Sequence, residues 1–282
     1  FLLTPLTVGL YLIHPRSRKT IKNPNDYGMD YEHISFTSPA GNVSLSGWWI
    51  PAKNASHQTV IIAHGYRNER SISKIELLNF VRNLHEEGYH VLMFDFRNSG
   101  TSGGRQTSIG YFEQHDLKAA IDFAVNEKNQ KSIALLGFSM GAATSLMVGT
   151  QHPSVKAIIA DSPFSELHPY LQENLSVWSK LPNKPFTPMI LFSMERLLRF
   201  RSKEVSPLKS IQVQNDKAYL LIHSKKDASI PYRHSELLFQ HLQTSNIKEL
   251  WLTEEAAHIR SYLHQPDEYS DRVLDFLSRV IK

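Results

Sequence analysis

The residues Gly137-Phe138-Ser139-Met140-Gly141 set a hydroxyl between two glycines at a point where the chain changes character. Before them runs Ser132-Ile133-Ala134-Leu135-Leu136, short and apolar like a buried strand. After them runs Ala142-Ala143-Thr144-Ser145-Leu146-Met147-Val148, small and apolar like a helix. A serine on a sharp strand-to-helix turn is held with its hydroxyl exposed and its backbone strained, and the flanking glycines avoid the collision a Cβ would make there. The chemistry open to such a serine is nucleophilic attack on an acyl carbon. Gly100-Thr101-Ser102-Gly103-Gly104 repeats the spacing, but the polar stretch Arg105-Gln106-Thr107-Ser108 follows it and no helix opens on the serine. That copy reads as a flexible turn, and Ser139 as the nucleophile.

A serine hydroxyl needs a base to take its proton, and the base needs a carboxylate to hold its tautomer. Behind a nucleophile on such a turn, the partners follow in the order acid, then histidine, each just after a strand. Asp227 lies in the turn beyond a strand-like run ending at His223, and His258 lies after the run ending at Leu252, ahead of the last helical stretch. Of 14 histidines, position after the last strand singles out His258. Asp161, closing the preceding strand-like run, is the competing acid, whereas Glu254 and Glu255 are too close in sequence to His258 to orient it. For an oxyanion, the amide of Met140 follows the nucleophile at a helix N-terminus. The second amide is expected from His64-Gly65-Tyr66-Arg67-Asn68, with Tyr66 the first candidate and Arg67 the next. Each such amide lowers a barrier by about 3 kcal/mol.

The elements that must position these groups alternate along the chain. Strands are expected at 31–36, 45–50, 59–63, 90–94, 132–138, 157–160, 218–223 and 248–252, and helices at 73–87, 111–126, 140–152, 233–243 and 267–281. This predicts an α/β fold, a mostly parallel eight-stranded sheet with helices on both faces and an antiparallel entry. The stretch 162–209 breaks the rhythm, since a simple crossover needs far fewer residues. It carries apolar residues at helical spacing (Leu167, Tyr170, Leu171, Leu175, Trp178), then Met189, Ile190, Leu191, Phe192, Met194, Leu197 and Leu198, parted by Pro182, Pro185 and Pro188. Two readings stand: a short helical lid that helps bind an apolar substrate group, or helices buried against the sheet.

Composition bounds the rest. The 282 residues are 41% hydrophobic and 21% charged, enough for one large α/β domain with a buried core and unlike a disordered chain. A net charge of +4 without a dense basic block or aromatic-interleaved basic stripe argues against nucleic acid as partner. With no cysteine there are no disulfides, thiolate catalysis or Cys-ligated metals. No His-Glu-x-x-His spacing or His/Asp cluster calls for a metal, and no cofactor is implied. Residues 1–19 form a separate segment ahead of the hydrolytic domain at 20–282: 1–13 are almost wholly apolar, and His14-Pro15-Arg16-Ser17-Arg18-Lys19 flank them. Thirteen residues reach about 20 Å as a helix, against about 30 Å of hydrocarbon. The chain begins without Met, so the favoured expectation is the end of a longer membrane anchor with its basic flank at the headgroups, in a protein otherwise cytoplasmic. The alternative is a short helix packed on the domain.

With these residues in place, the chain resembles the α/β-hydrolase superfamily from about residue 25 to 282. More narrowly, it is similar to bacterial membrane-anchored single-domain serine hydrolases of the prolyl-oligopeptidase and serine-aminopeptidase branch. The matching pieces are Gly47-Trp48-Trp49-Ile50-Pro51, His64-Gly65, Asp95-Phe96-Arg97-Asn98-Ser99-Gly100, the turn at Ser139, Asp161-Ser162-Pro163-Phe164 and the turns at Asp227 and His258. The resemblance implies cofactor-free acyl transfer by Ser139, His258 and Asp227 on a small-molecule acyl substrate. Members often carry an N-terminal apolar anchor. Unlike the family pattern, the loop after His64-Gly65 has no further glycine. An esterase or lipase-like activity is expected, with a peptidase or thioesterase as the alternative, and a non-enzymatic binding scaffold as the outlying one because such scaffolds typically lose a triad member.

Overall fold

The computed structural model describes residues 3–16, 20, 22–54, 56–179 and 181–281. Short aliphatic and aromatic runs bounded by turn residues become β1 (Glu32–Ser38), β2 (Val43–Ile50), β3 (Gln58–Ala63), β4 (His90–Phe94), β5 (Ser132–Phe138), β6 (Val155–Asp161), β7 (Ala218–Ser224) and β8 (Lys248–Thr253). They form one eight-stranded sheet in the order β1-β2-β4-β3-β5-β6-β7-β8. Strand β2 is antiparallel to both β1 and β4, and the remaining pairs are parallel, as the alternation in the sequence predicts.

The helices are α1 (Leu3–Ile13), α2 (Leu77–Glu86), α3 (Glu113–Asn126), α4 (Met140–Gln151), α5 (Leu167–Ser179), α6 (Asn183–Leu198), α7 (Pro207–Ile211), α8 (Arg233–His241), α9 (Ser261–His264) and α10 (Pro266–Val280). Parallel strands must be covered on both faces, and the period-two alternation of side chains divides the core accordingly. Ile61, Ala63, Ile133 and Leu135 join a core under α3, α4, α5 and α6, while Val60, Ile62, Ala134 and Leu136 join a second core under α2 and α10. Helix α10 opens on Pro266 with Asp267 and Glu268 in its first turn and buries Tyr269, Val273, Phe276 and Leu277 along one stripe.

The stretch 162–209 holds α5, α6 and the start of α7. Leu167, Tyr170, Leu171, Leu175, Ile190, Leu191, Met194 and Leu198 are all in the first core, whereas Phe192 is 70% exposed. The side chain of Trp178 lies outside the described residues. Pro182 parts the two helices, Pro185 falls in the first turn of α6, where early amides lack intrahelical acceptors, and Pro188 stands inside α6, shortly after the non-helical Lys184.

The spanning anchor expected at residues 1–19 gains no support: no helix among the described residues is long and apolar enough to cross a membrane. The expected residues Phe1, Leu2, Ser17, Arg18 and Lys19 lie outside the described ones. Helix α1 instead packs on α6, so closely that a Cβ on Gly9 would sit 3.4 Å from Ser193 Cβ, and Leu12 and Ile13 enter the first core. The terminal carbonyls of α1 are taken up by the domain, with the Thr107 amide donating to the Ile13 carbonyl at 2.9 Å.

Phe276 lies wholly within the second core, so Phe276→Ala should cost about 3–5 kcal/mol of unfolding free energy, read from the denaturant midpoint at unchanged slope. Phe192→Ala, on an exposed ring, should stay within about 0.5 kcal/mol. Equal effects would mean that the division between core and surface is wrong.

Candidate active site

Ser139 stands between the end of β5 and the first residue of α4 with φ 57° and ψ −117°, a strained conformation for a residue with a Cβ. The chain reaches it because the residues two positions to either side, Gly137 and Gly141, carry no Cβ. A Cβ on Gly137 would lie 2.4 Å from the Gly141 carbonyl oxygen, across the turn. A Cβ on Gly141 would lie 2.0 Å from the Ala63 carbonyl oxygen, so the second glycine answers to the neighbouring end of β3 rather than to the turn itself. The Ser139 amide donates to the Asp161 carbonyl at 2.8 Å, which ties the turn to β6.

Three turns bring Ser139, His258 and Asp227 together at the carboxyl ends of the parallel strands. Ser139 Oγ is 2.9 Å from His258 Nε2, and His258 Nδ1 is 2.6 Å from Asp227 Oδ2. With a carboxylate at Nδ1, the imidazole carries its proton there and turns the Nε2 lone pair to the hydroxyl. The other carboxylate oxygen, Asp227 Oδ1, accepts from the amides of Ser229 and Ile230 at 2.8 and 2.9 Å. Burial works to raise the Asp227 carboxyl. Hydrogen bonds from His223 and His258, the charge of His258 and the Ile230 amide overcome it and hold the group well below the usual carboxylate range.

His223, which the sequence marks only as a strand end, is a supporting residue that spacing does not reveal. Its fully buried ring donates from Nε2 to the Ile230 carbonyl at 2.8 Å, lies 3.3 Å from Asp227 Oδ2, and accepts at Nδ1 from the Ser235 hydroxyl at 2.7 Å. The available signal was a histidine inside a run of buried aliphatics four residues before an aspartate, since a buried imidazole requires partners.

Asp161 does not meet His258. Its carboxylate accepts from the Ser162 hydroxyl at 2.8 Å and the Tyr269 hydroxyl at 3.1 Å, and burial pushes it up to about 6. Glu254 pairs outward with Lys225 at 2.6 Å. Ser102 is no rival nucleophile, because its hydroxyl donates to the Asp95 carbonyl at 2.6 Å and accepts from the Ser46 amide at 2.9 Å.

Met140, the first residue of α4, follows Ser139, and the loop after β3 runs directly against the nucleophile: a Cβ on Gly65 would lie 3.1 Å from Ser139 Cβ. His64 steadies that loop, with Nδ1 donating to the Gly65 carbonyl at 2.8 Å and Nε2 accepting from the Phe96 amide at 3.0 Å. Desolvation lowers the pKa of this buried ring and keeps it neutral. Further along, Arg70 binds the buried Asp95 carboxylate through Nε and Nη2 at 3.0 and 2.5 Å, joining the loops after β3 and β4. Gly100 packs onto that same carboxylate, where a Cβ would fall 1.9 Å from Oδ2.

A sheet of this strand order, with a strained serine after β5 and with an acid and a histidine in the turns after β7 and β8, defines an α/β-hydrolase. The chain belongs to the serine aminopeptidase S33 family, whose model matches residues 54–219. It is 30% identical to the Bacillus subtilis protein YqkD over 96% of this chain and 90% of that one. Lysophosphatidylserine lipase ABHD12 of Gallus gallus is 23% identical over 80% of this chain and 62% of its own length. Among solved structures, the esterase Pf2001 of Pyrococcus furiosus superposes with a TM-score of 0.78 at 29% identity, covering 96% of this chain and 99% of that one. The chain is therefore a hydrolase enzyme.

The two carboxylates should titrate with opposite effects on stability. Asp161, raised when folded, stabilises below its unfolded value of about 3.9 and loses that contribution as pH rises through about 6. Asp227, depressed when folded, stabilises above about 3.9 and loses that contribution as pH falls below it. Relative to wild type, Asp161→Asn should therefore gain stability between about pH 4 and 7, and Asp227→Asn should lose it as pH rises from 2 to 5. Denaturant midpoints across pH measure both, and parallel slopes would contradict the assignment.

Proposed function

We propose that this chain is a serine hydrolase that cleaves acyl esters, carboxylesterase or lipase-like, through Ser139, His258 and Asp227. The observation that carries the reading is the continuous hydrogen-bonded line from hydroxyl to imidazole to carboxylate, 2.9 and 2.6 Å long. In the first half-reaction His258 Nε2 takes the Ser139 proton as Oγ adds to the ester carbonyl. The amides of Met140 and Tyr66 donate to the resulting oxyanion. His258 returns the proton to the departing alkoxide and leaves an acyl-serine. In the second, His258 takes a proton from water as its oxygen adds to the acyl carbon, and when the intermediate collapses His258 gives that proton to the departing Ser139 Oγ, freeing the carboxylic acid. Asp227 keeps the imidazole in its tautomer and stabilises the imidazolium in each half.

An ester substrate with an apolar acyl group is favoured by the likeness to the esterase Pf2001 along nearly the full length of both chains, and by the lipase relative. The family description favours a second reading, aminopeptidase activity. Nitrophenyl esters tested beside aminoacyl arylamides separate the two. Faster turnover of the esters is expected, and arylamide preference would replace the esterase reading.

Wild-type protein should be labelled by a fluorophosphonate probe and Ser139→Ala should not, so persistent labelling of the variant would discard this nucleophile. Asp227→Asn should lower kcat by about 10⁴, as expected when the imidazole is left in the wrong tautomer. Asp161→Asn should lower it far less, and a reversed ranking in steady-state rates would move the acid to Asp161.

A further inference from the structure

Between the loop after β3 and helix α1 lies a cavity of about 530 Å³, within the range of about 300–1,000 Å³ usual for small-molecule sites. One wall is the loop after β3, through Tyr66 and Arg67; the other is α1, through Val8, Tyr11 and Leu12, with Ser179 at the end of α5 between them. The loop wall links this cavity to the serine: Gly65, which precedes Tyr66, is packed on Ser139. Its α1 wall lies outside residues 54–219, the part of the chain that the family model matches.

The two walls are fastened together. The Tyr66 hydroxyl donates at 2.6 Å to the Leu12 carbonyl, one of the four last carbonyls of α1 that lack an intrahelical partner. Burial pushes that phenol up to about 12, so it remains a donor. The Arg67 guanidinium sits 4.6 Å from the centre of the Tyr11 ring and 5.2 Å from that of Tyr66, bridging helix and loop by cation–π contact. On α1, Val8 and Leu12 are one turn apart and share a face, Leu12 buried in the first core and Val8 partly buried against it.

We propose that this cavity is the acyl pocket and that α1 sets the length of acyl chain the enzyme prefers, with Val8 as the residue that limits it. The inference rests on the serine-hydrolase reading above. An acyl carbon bound to Ser139 Oγ has its oxygen toward the amides of Met140 and Tyr66. The hydrocarbon tail then runs past Tyr66 along Val8 and Leu12, where apolar side chains replace water around each methylene. Within the length the cavity holds, each added methylene raises kcat/KM about fourfold.

The test uses the full chain and nitrophenyl esters from acetate to dodecanoate, with wild type, Val8→Phe and Val8→Ala. Wild type should favour medium chains over acetate. Val8→Phe should lower the decanoate-to-acetate ratio of kcat/KM at least tenfold and shorten the preferred chain, while Val8→Ala should lengthen it. Opposite shifts separate a pocket wall from mere damage to the fold, and Val8→Ala remains informative if the larger residue prevents folding. Fluorophosphonate labelling of Ser139 runs alongside. Labelled enzymes with the same chain-length profile would overturn the pocket and leave the hydrolase reading standing, whereas absence of labelling in wild type would overturn both.

Discussion

The close approach of α4 to the end of β3 is the constraint on which the rest of the site depends. Gly141 rides against the Ala63 carbonyl oxygen, where any Cβ would overlap it, in the first turn of the helix that begins immediately after the serine. The same approach brings the loop after β3 against Ser139, so the turn that strains the serine also supplies the neighbouring backbone that an oxyanion would need. The strain at φ 57° costs on the order of 1–3 kcal/mol and is held by the surrounding packing, with α4 buried between strands and loops along nearly its whole length.

Two buried carboxylates at the ends of adjacent strands face opposite demands, and their surroundings separate them. Asp227 collects two backbone amides and two imidazoles, which together stabilise its anion against desolvation. Asp161 collects two hydroxyls, too little to offset burial, so it is the weaker anion of the pair. A histidine held by a carboxylate needs that carboxylate charged, and the surroundings of Asp227 favour the anion far more strongly than those of Asp161. His223 completes the arrangement by bracing both Asp227 and the loop that carries its amide donors.

Around this centre, peripheral elements are tied back to the loops that matter. Tyr170 of α5 donates to the Ser229 carbonyl at 3.1 Å, in the loop that carries Asp227, and Tyr66 in the loop after β3 donates to α1. Because α1 lies on α6, the insert and the N-terminal helix form one apolar layer over the sheet. Helix α1, apolar in composition, thereby contributes Leu12 and Ile13 to a protein core. These two bury themselves against other apolar side chains, whereas Leu6, Leu10 and Tyr11 of the same helix stay exposed.

The amino-acid sequence by itself determined the sheet and its punctuation, because strand and helix periodicities and turn residues are local properties. It also determined the candidates Ser139, Asp227 and His258, because in this architecture each must follow a strand in a known order. The tertiary structure decided what local pattern cannot encode: which carboxylate meets His258, what Gly141 avoids, and which elements the apolar helix α1 packs against. It alone brought out His223, whose partners lie in the loop after β7 and on α8. It alone showed Ser102 spent on backbone bonds, although the spacing around it matches that around Ser139. The contacts of His258 with Ser139 and Asp227, and of Gly141 with Ala63, are long-range, and their energies depend on desolvation and on neighbours distant in the chain, which no short window of residues contains.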